Sequence, residues 1–363
     1  MPTDFTTKFK TLMDLSALIN STLDPRQVRI QAIEAATTLV GAETGSLLLL
    51  DAASNELYFE VALGKKGARL KEIRIPAEQG IVGWVLQHEQ GVIVNDPDHD
   101  SRFYRAADVK SQFTTKSLLA APLVVKGKTI GVLEAINKVQ GNFDNDDLDL
   151  LIFLANQVAP AIENAALYAE LREVFHETAM TLSEALECRD RYTGGHTRRV
   201  CDYSLAIGRG LGLSSHDLDK LKLSSILHDI GKIGVADAIL RKTGPLDPDE
   251  FVQMQQHTRF GGEILQQVRS MSEVIPGVLY HHEKYDGSGY PEALKGEAIP
   301  EMARIIAVAD TYDAMTTDRP YRKGLSREIA LAELRRNSGS QFDAAIVEAF
   351  IRGLQESDES NHP

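Results

Sequence analysis

Only two cysteines, Cys188 and Cys201, occur in these 363 residues. Neither sits in a CxxC pair, so a disulfide framework and a thiolate metal site are both excluded, and a reduced, cytoplasmic setting is expected. There is no basic excess either: 39 Lys and Arg face 52 Asp and Glu, for a formal net charge of −13. That argues against a face for nucleic-acid polymers, which needs clustered positive charge. It leaves room for a small phosphorylated substrate, because metal ions can supply positive charge locally. Long apolar runs are missing as well: stretches such as Ser46–Leu50 and Leu150–Ala155 fall far short of the roughly 20 residues a membrane span needs. Met1-Pro2-Thr3-Asp4 has neither the basic start nor the apolar core of a signal peptide. No membrane association is expected.

What is present is an ordinary globular composition, 43% hydrophobic and 25% charged, at a length that favours two domains. Residues 1–165 alternate helical and strand signals. Asp24-Pro25 reads as an N-cap with proline at the first helical position, and Ile30, Ile33, Thr37 and Val40 recur at helical spacing before Gly41. Strand-like runs follow at Ser46–Leu50, Leu57–Val61, Gly91–Val94, Ser117–Val125 and Ile130–Ile136, with turns at Asp51–Asn55 and Lys126–Lys128. The pattern predicts an α+β domain, an antiparallel sheet with flanking helices.

In order and local strings this half resembles a GAF domain. The matching segments are Gly80-Ile81-Val82-Gly83-Trp84, Val94-Asn95-Asp96-Pro97, Ser117 to Leu123, Gly131 to Lys138 and Ala161 to Ala165. The resemblance implies a sensor with a small-molecule ligand, which the fold alone does not identify. Asn137-Lys138, Phe143 and Asp147 are similar to a pattern of cyclic-nucleotide-binding GAF domains, but Leu148 stands where that pattern has Glu. The favoured role for these residues is to brace a strand-to-helix turn.

From 148 to 189 the pattern is helical apart from Pro160, a connector shared by both domains. Leu167, Leu171, Val174, Thr178, Thr181 and Ala185 form a 3-4 seam of coiled-coil type, from which a homodimer is expected.

The remainder, 180–363, carries the chemistry. His196, His228-Asp229, His257, His281-His282 and Asp310 are imidazole and carboxylate ligand types in helix-compatible settings. They suit Fe, Mn, Zn, Ni or Co. They are too many for one tetrahedral ion and fit two ions sharing Asp229, whose two oxygens can bridge. Two metals about 3.5–4 Å apart are the arrangement that clamps the attacking and leaving oxygens of a phosphoryl displacement. His88, His99, His176, His216 and His362 lack such company, and surface or loop roles are expected for them.

Three strings carry a closer resemblance: His228-Asp229-Ile230-Gly231-Lys232-Ile233-Gly234, His281 to Pro291, and Val308 to Tyr321. With them this half resembles the HD-GYP family of phosphodiesterases, within the HD metal-dependent phosphohydrolases. The resemblance implies an all-α domain that opens cyclic di-GMP to linear pGpG, with GMP as the product if a second hydrolysis follows. Alternatives are hydrolysis of another cyclic dinucleotide, 3′,3′-cGAMP, or an inactive cyclic di-GMP receptor. It implies that His196, His228, Asp229 and Asp310 hold one divalent metal and that Asp229, His257, His281 and His282 hold the second, with iron or manganese expected. Asp229 and Lys232 would be catalytic, with Lys232 against the scissile phosphate. Arg319 and Arg322 would bind the other phosphate or a guanine edge. Gly289, Tyr290 and Pro291 would form the pocket wall or a docking point for a partner protein. Two positions depart from the pattern. Tyr192 stands four residues before His196, where some members carry Glu for a third metal, so two metals are expected. Ala344 replaces a usual proline, and only a local effect at a helix start is expected.

Overall fold

The computed structural model describes residues 2–62, 73–189, 194–318 and 323–360. The chain divides into two compact units, 1–173 and 174–363.

The first unit is built on a six-stranded antiparallel sheet. Its strands are β1 (Ala42–Asp51), β2 (Glu56–Ala62), β3 (Arg74–Pro76), β4 (Val92–Val94), β5 (Leu118–Val125) and β6 (Lys128–Lys138), in the order β3-β2-β1-β6-β5-β4. Successive residues point to opposite faces. Leu47, Leu119 and Leu133 accordingly join one core with Leu12, Val28, Ile33, Leu151, Leu154 and Val158 of the helices Pro2–Ile19, Pro25–Val40 and Asn145–Glu187. Their neighbours Leu48, Leu118 and Val132 join the opposite core with Phe59, Ile75, Ile81 and Val85. Pro25–Val40 starts as the sequence predicts: Asp24 accepts hydrogen bonds from the backbone N–H groups of Arg26 and Gln27. Strand β3 has no counterpart among the predicted strands. It pairs with β2 over three residues, too short for an alternation to register.

The Asn137 pattern braces the end of β6. The Lys138 ammonium reaches Asp147 Oδ2 at 2.6 Å and the Val40 carbonyl at 2.7 Å, 5.5 Å from the Phe143 ring centre. The boundary between the units falls within the helix Asn145–Glu187, which carries Pro160. An 18-residue window of this helix has a mean hydropathy of 1.4, apolar enough to cross a membrane by composition, and 44% of the window is buried inside the protein. Leu151, Leu154, Ala155 and Val158 supply that burial, so the sheet's core accounts for much of the apolarity. On the same helix Leu167, Leu171 and Val174 are exposed, as are Thr178, Thr181 and Ala185. His176, expected at the surface, is buried instead: it lies on the inward stripe with Ala179, Met180 and Ser183.

The described part of the second unit is helical apart from an isolated bridge between Ser338 and Phe342. One core gathers Val200, Ile207, Leu221, Ile305, Val308, Tyr312, Leu334, Val347 and Phe350. A second gathers Cys201, Leu223, Ile226, Leu265 and Val278. Between them these cores fix the helices Glu301–Thr316, His196–Gly210 and Ser215–Leu227. The last helix, Ala344–Ser360, opens with Asp343 Oδ1 accepting from the Ala345 N–H at 2.9 Å. Asp343 thus caps a start from which the usual proline is missing.

Candidate metal centre

Four histidines reach one region from helix ends. His196 and His257 open the helices His196–Gly210 and His257–Gln266, whereas His228 and His281 follow the last residues of Ser215–Leu227 and Ile275–Tyr280. His282 comes next in the chain, and Asp310 projects from the middle of Glu301–Thr316. Asp229 has left the helix, with φ −100° and ψ 5°, so the His228-Asp229 pair occupies a helix exit rather than a helical face. The 3-10 turn that follows, Ile230–Gly234, lies directly on the His257 helix. A Cβ on Gly231 would sit 1.8 Å from the His257 carbonyl oxygen. Only glycine permits that approach, which ties Asp229 to the element carrying His257.

The protons on these rings are fixed by their outer partners. His228, His257 and His281 each place Nδ1 2.7–2.8 Å from the carbonyl three residues earlier, those of Ser225, Met254 and Val278. A carbonyl only accepts, so each Nδ1 carries a proton, and in the neutral ring each Nε2 presents a lone pair. His196 Nδ1 likewise donates to Asp313 Oδ2 at 2.7 Å. The 3.5 Å approach of His257 Nε2 to His281 Nε2 is therefore two lone pairs facing each other, not a hydrogen bond. Two nitrogens held about 2.1 Å from a shared ion at a tetrahedral angle would lie about 3.4 Å apart. His228 Nε2 is buried with no hydrogen-bond partner. An orphaned lone pair and a pair of opposed ones fit a cation between them.

The ligand atoms fall into two sets, His196, His228 and Asp310, and His257, His281 and His282, each with its atoms within 4.8 Å of one another. Asp229 lies between them. Its Oδ2 is 3.4 Å from His228 Nε2 and 3.9 Å from His196 Nε2, while its Oδ1 is 3.4 Å from His257 Nε2. Lys232 Nζ also meets Asp229 Oδ2, at 2.6 Å.

Burial would raise the Asp229 carboxyl, but the charges of Lys232 and His228 overcome it and hold it well below the usual carboxylate range. Burial, and then the neighbouring imidazoles, keep the second set neutral: His281 is held well below its ordinary value and His282 is lowered to about 3. His228 goes the other way: against its burial, Asp229 draws it up to about 9, so that without a metal its Nε2 holds a proton. Neutral imidazoles and ionised carboxylates are the ligand forms, and a metal at His228 would displace that proton.

Outside this ring sits a residue to which the sequence reading gave no role. Asp313 is 2% exposed and joins His196 Nδ1 to Arg199, whose Nε lies 2.5 Å from Oδ1. Burial raises its carboxyl, and the bonds from His196 and Arg199 bring it below the ordinary value. Its signal was its spacing, one helical turn beyond Asp310.

The segment after His282 folds back on it. The Tyr290 ring packs tilted against His282, with ring centres 4.9 Å apart at 35°, and the Pro291 carbonyl accepts from Arg259 Nη2 at 3.3 Å. Gly289 packs against the backbone of 282–284. The structure thus gathers His196, His228, Asp229, Lys232, His257, His281, His282 and Asp310, with Gly289 and Tyr290 beside them. Arg319 and Arg322, expected at the substrate, and Tyr192 lie outside the described residues.

Two family models match this chain, the GAF domain over 24–162 and the HD domain over 179–346. Among its relatives is the 3′3′-cGAMP-specific phosphodiesterase 2 of Vibrio cholerae, 36% identical over 69% of this chain and 49% of that protein. The cyclic di-GMP phosphodiesterase response regulator RpfG of Xanthomonas campestris is 41% identical over 51% of this chain and 49% of its own length. A cyclic di-GMP phosphodiesterase of Thermotoga maritima is 40% identical over 51% of each chain. The chain spans about half the length of these relatives.

Proposed function

We propose that this chain, which belongs to the GAF family through residues 24–162 and to the HD family through 179–346, is a dinuclear-metal phosphodiesterase. Its substrate is cyclic di-GMP, opened to linear pGpG, with GMP the product if a second hydrolysis follows. The observation that carries the reading is Asp229, whose two oxygens are divided between two sets of imidazole lone pairs. His196, His228, Asp310 and Asp229 Oδ2 hold one ion, and His257, His281, His282 and Asp229 Oδ1 hold the other. Iron or manganese is the pair taken for these sites, whose imidazole and carboxylate ligands also suit Zn, Ni or Co. When bound, two such ions bring water from a pKa of about 15.7 toward roughly 7 and neutralise charge on the phosphoryl group. Lys232, at the edge of Asp229, offers its ammonium to a phosphate oxygen as charge develops there. Gly289, Tyr290 and Pro291 wall the site, and Arg319 and Arg322 hold the second phosphate or a guanine edge.

The GAF domain is the regulatory sensor and takes a small-molecule ligand. A homodimer forms through the exposed stripe of Leu167, Leu171 and Val174, and the enzyme works in the cytoplasm. A second reading, hydrolysis of 3′,3′-cGAMP, is favoured by one observation. The relative that matches over 69% of this chain is named for that substrate.

The test loads the protein anaerobically with Fe(II) or Mn(II) and follows cyclic di-GMP and 3′,3′-cGAMP by chromatography. Faster turnover of the mixed dinucleotide would select the second reading. Asp229→Ala is expected to bind less metal and to lose at least about a thousandfold in turnover. Hydrolysis at the wild-type rate by that variant would falsify the dinuclear mechanism.

A further inference from the structure

Of the five histidines in the centre, four have Nδ1 fixed by a hydrogen bond: His196 to Asp313, and His228, His257 and His281 to carbonyls. Among the described residues His282 has no such bond. Its ring lies against three other rings: His281 at 4.1 Å, His257 at 5.1 Å and Tyr290 at 4.9 Å between centres. Two of these are fellow members of its own ligand set, so Tyr290 is the ring neighbour outside it. The Tyr290 ring lies tilted at 35° over the imidazole, a packing that restricts its rotation.

Tyr290 is itself firmly placed. Its backbone N–H donates to the His282 carbonyl at 3.3 Å. A Cβ at Gly289 would lie 2.3 Å from Lys284 N and 2.6 Å from the His282 oxygen, so the turn lies flat on the backbone of 282–284. Glu283, 3% exposed, accepts from the N–H groups of Glu292 at 2.7 Å and Leu294 at 3.0 Å, which closes the far side of the turn. Phe251 meets the Tyr290 ring from another side, at 6.3 Å and 82°.

From this geometry we propose that Tyr290 is a positioning residue for His282: its ring does for that imidazole what a hydrogen bond does for the other four. The two ion sites then differ in kind. In the set with His196, His228 and Asp310, both imidazoles are oriented by hydrogen bonds at Nδ1. The set with His257, His281 and His282 depends in part on a packed aromatic ring. This rests on the two-metal reading above and adds to it which site yields first.

The test is an anaerobic titration of the full chain with Mn(II), reading free manganese by its paramagnetic resonance and bound metal by elemental analysis. The wild type is expected to bind two equivalents. Tyr290→Ala should keep one equivalent at wild-type affinity and weaken the other about tenfold or more, the loss typical of an orienting neighbour. Tyr290→Phe, which keeps the ring, should hold both. Should the alanine variant not fold, Tyr290→Leu fills the space without a ring and carries the same expectation. Two equivalents at wild-type affinity in a folded ringless variant, equal weakening of both sites, or a Phe variant as weak as the ringless one would each overturn the proposal. A wild-type chain that binds no manganese would instead count against the two-metal reading.

Discussion

Lys138 with Asp147 in the first unit, and the His228 imidazole with Asp229 in the second, both place a carboxylate against a nitrogen group away from water. The first closes on itself. The Lys138 ammonium is shared between Asp147 and the Val40 carbonyl, and beside it Asn137 accepts from the N–H groups of Lys116 and Ser117 while donating to Glu43 and Thr114. The second stays open: His228 Nε2 has no hydrogen-bond partner, His257 and His281 turn lone pairs on each other, and Asp229 reaches toward both sets. A polar cluster whose atoms satisfy one another holds a fold together. One whose acceptors converge with Lys232 as a donor at its edge is shaped for a cation the chain does not itself supply.

That contrast breaks most visibly if the closed cluster turns out to serve the open one. Lys138→Met would leave the Asp147 carboxylate, 2% exposed, without its cation. Removing one partner of a buried pair costs about 3–5 kcal/mol. Trp84 is the only tryptophan and lies in the helix Gly80–His88 of the first unit, so its fluorescence reports that unit alone. The expected outcome is a lower urea midpoint for the Trp84 signal with manganese stoichiometry unchanged. A loss of bound metal would erase the distinction.

Glu134 sharpens the contrast from within the first unit. It is 6% exposed on β6 and accepts a hydrogen bond from the Ser46 hydroxyl. Burial pushes its carboxyl up to about 7, only partly offset by Ser46. Between its ordinary value of 4.5 and 7 the folded chain keeps a proton that the unfolded chain has released, so raising the pH destabilises the fold. The loss begins near the lower value and is complete a little above the upper one. At about 1.4 kcal/mol per unit it amounts to about 3 kcal/mol. Glu134→Gln removes the titration. Its Trp84-monitored stability should match the wild type near pH 5 and exceed it by up to about 3 kcal/mol at pH 8. Parallel pH profiles for the two chains would show the carboxyl to be ionised throughout.

Much of this was readable before any coordinates. The strand-like runs at Ser46–Leu50, Ser117–Val125 and Ile130–Ile136 predict the sheet, and the ligand residues stand out because imidazoles and carboxylates recur beside helix signals. Other features were hidden for physical reasons. Strand β3 owes its existence to pairing with β2, not to a pattern of its own. His176 was assigned to the surface for want of ligand neighbours, although its place on the stripe with Ala179 and Met180 was available. The exit of His228-Asp229 from its helix depends on how closely Gly231 lies on His257, a contact between segments far apart in sequence. Asp313 escaped for the same reason: its partner His196 is 117 residues away.

Asp313 supplies the smallest and most local test of the open cluster. It receives the His196 proton and is bonded through both oxygens to Arg199, at 2.5 and 3.1 Å. Its negative charge makes the imidazole a better donor of its Nε2 lone pair, while the guanidinium keeps the carboxylate ionised despite its burial. Asp313→Asn retains the shape and one acceptor but removes the charge, and the single amide oxygen cannot serve His196 and Arg199 as well as two carboxylate oxygens do. The expected result is a loss of about tenfold in affinity at one manganese site, the low end of what an outer partner contributes. The other site and the Trp84 unfolding signal should not move. The affected site should also differ from the one weakened in Tyr290→Ala, so the Asp313→Asn/Tyr290→Ala double variant should weaken both. If the two single variants weaken the same equivalent, the partition of ligands around Asp229 is drawn in the wrong place.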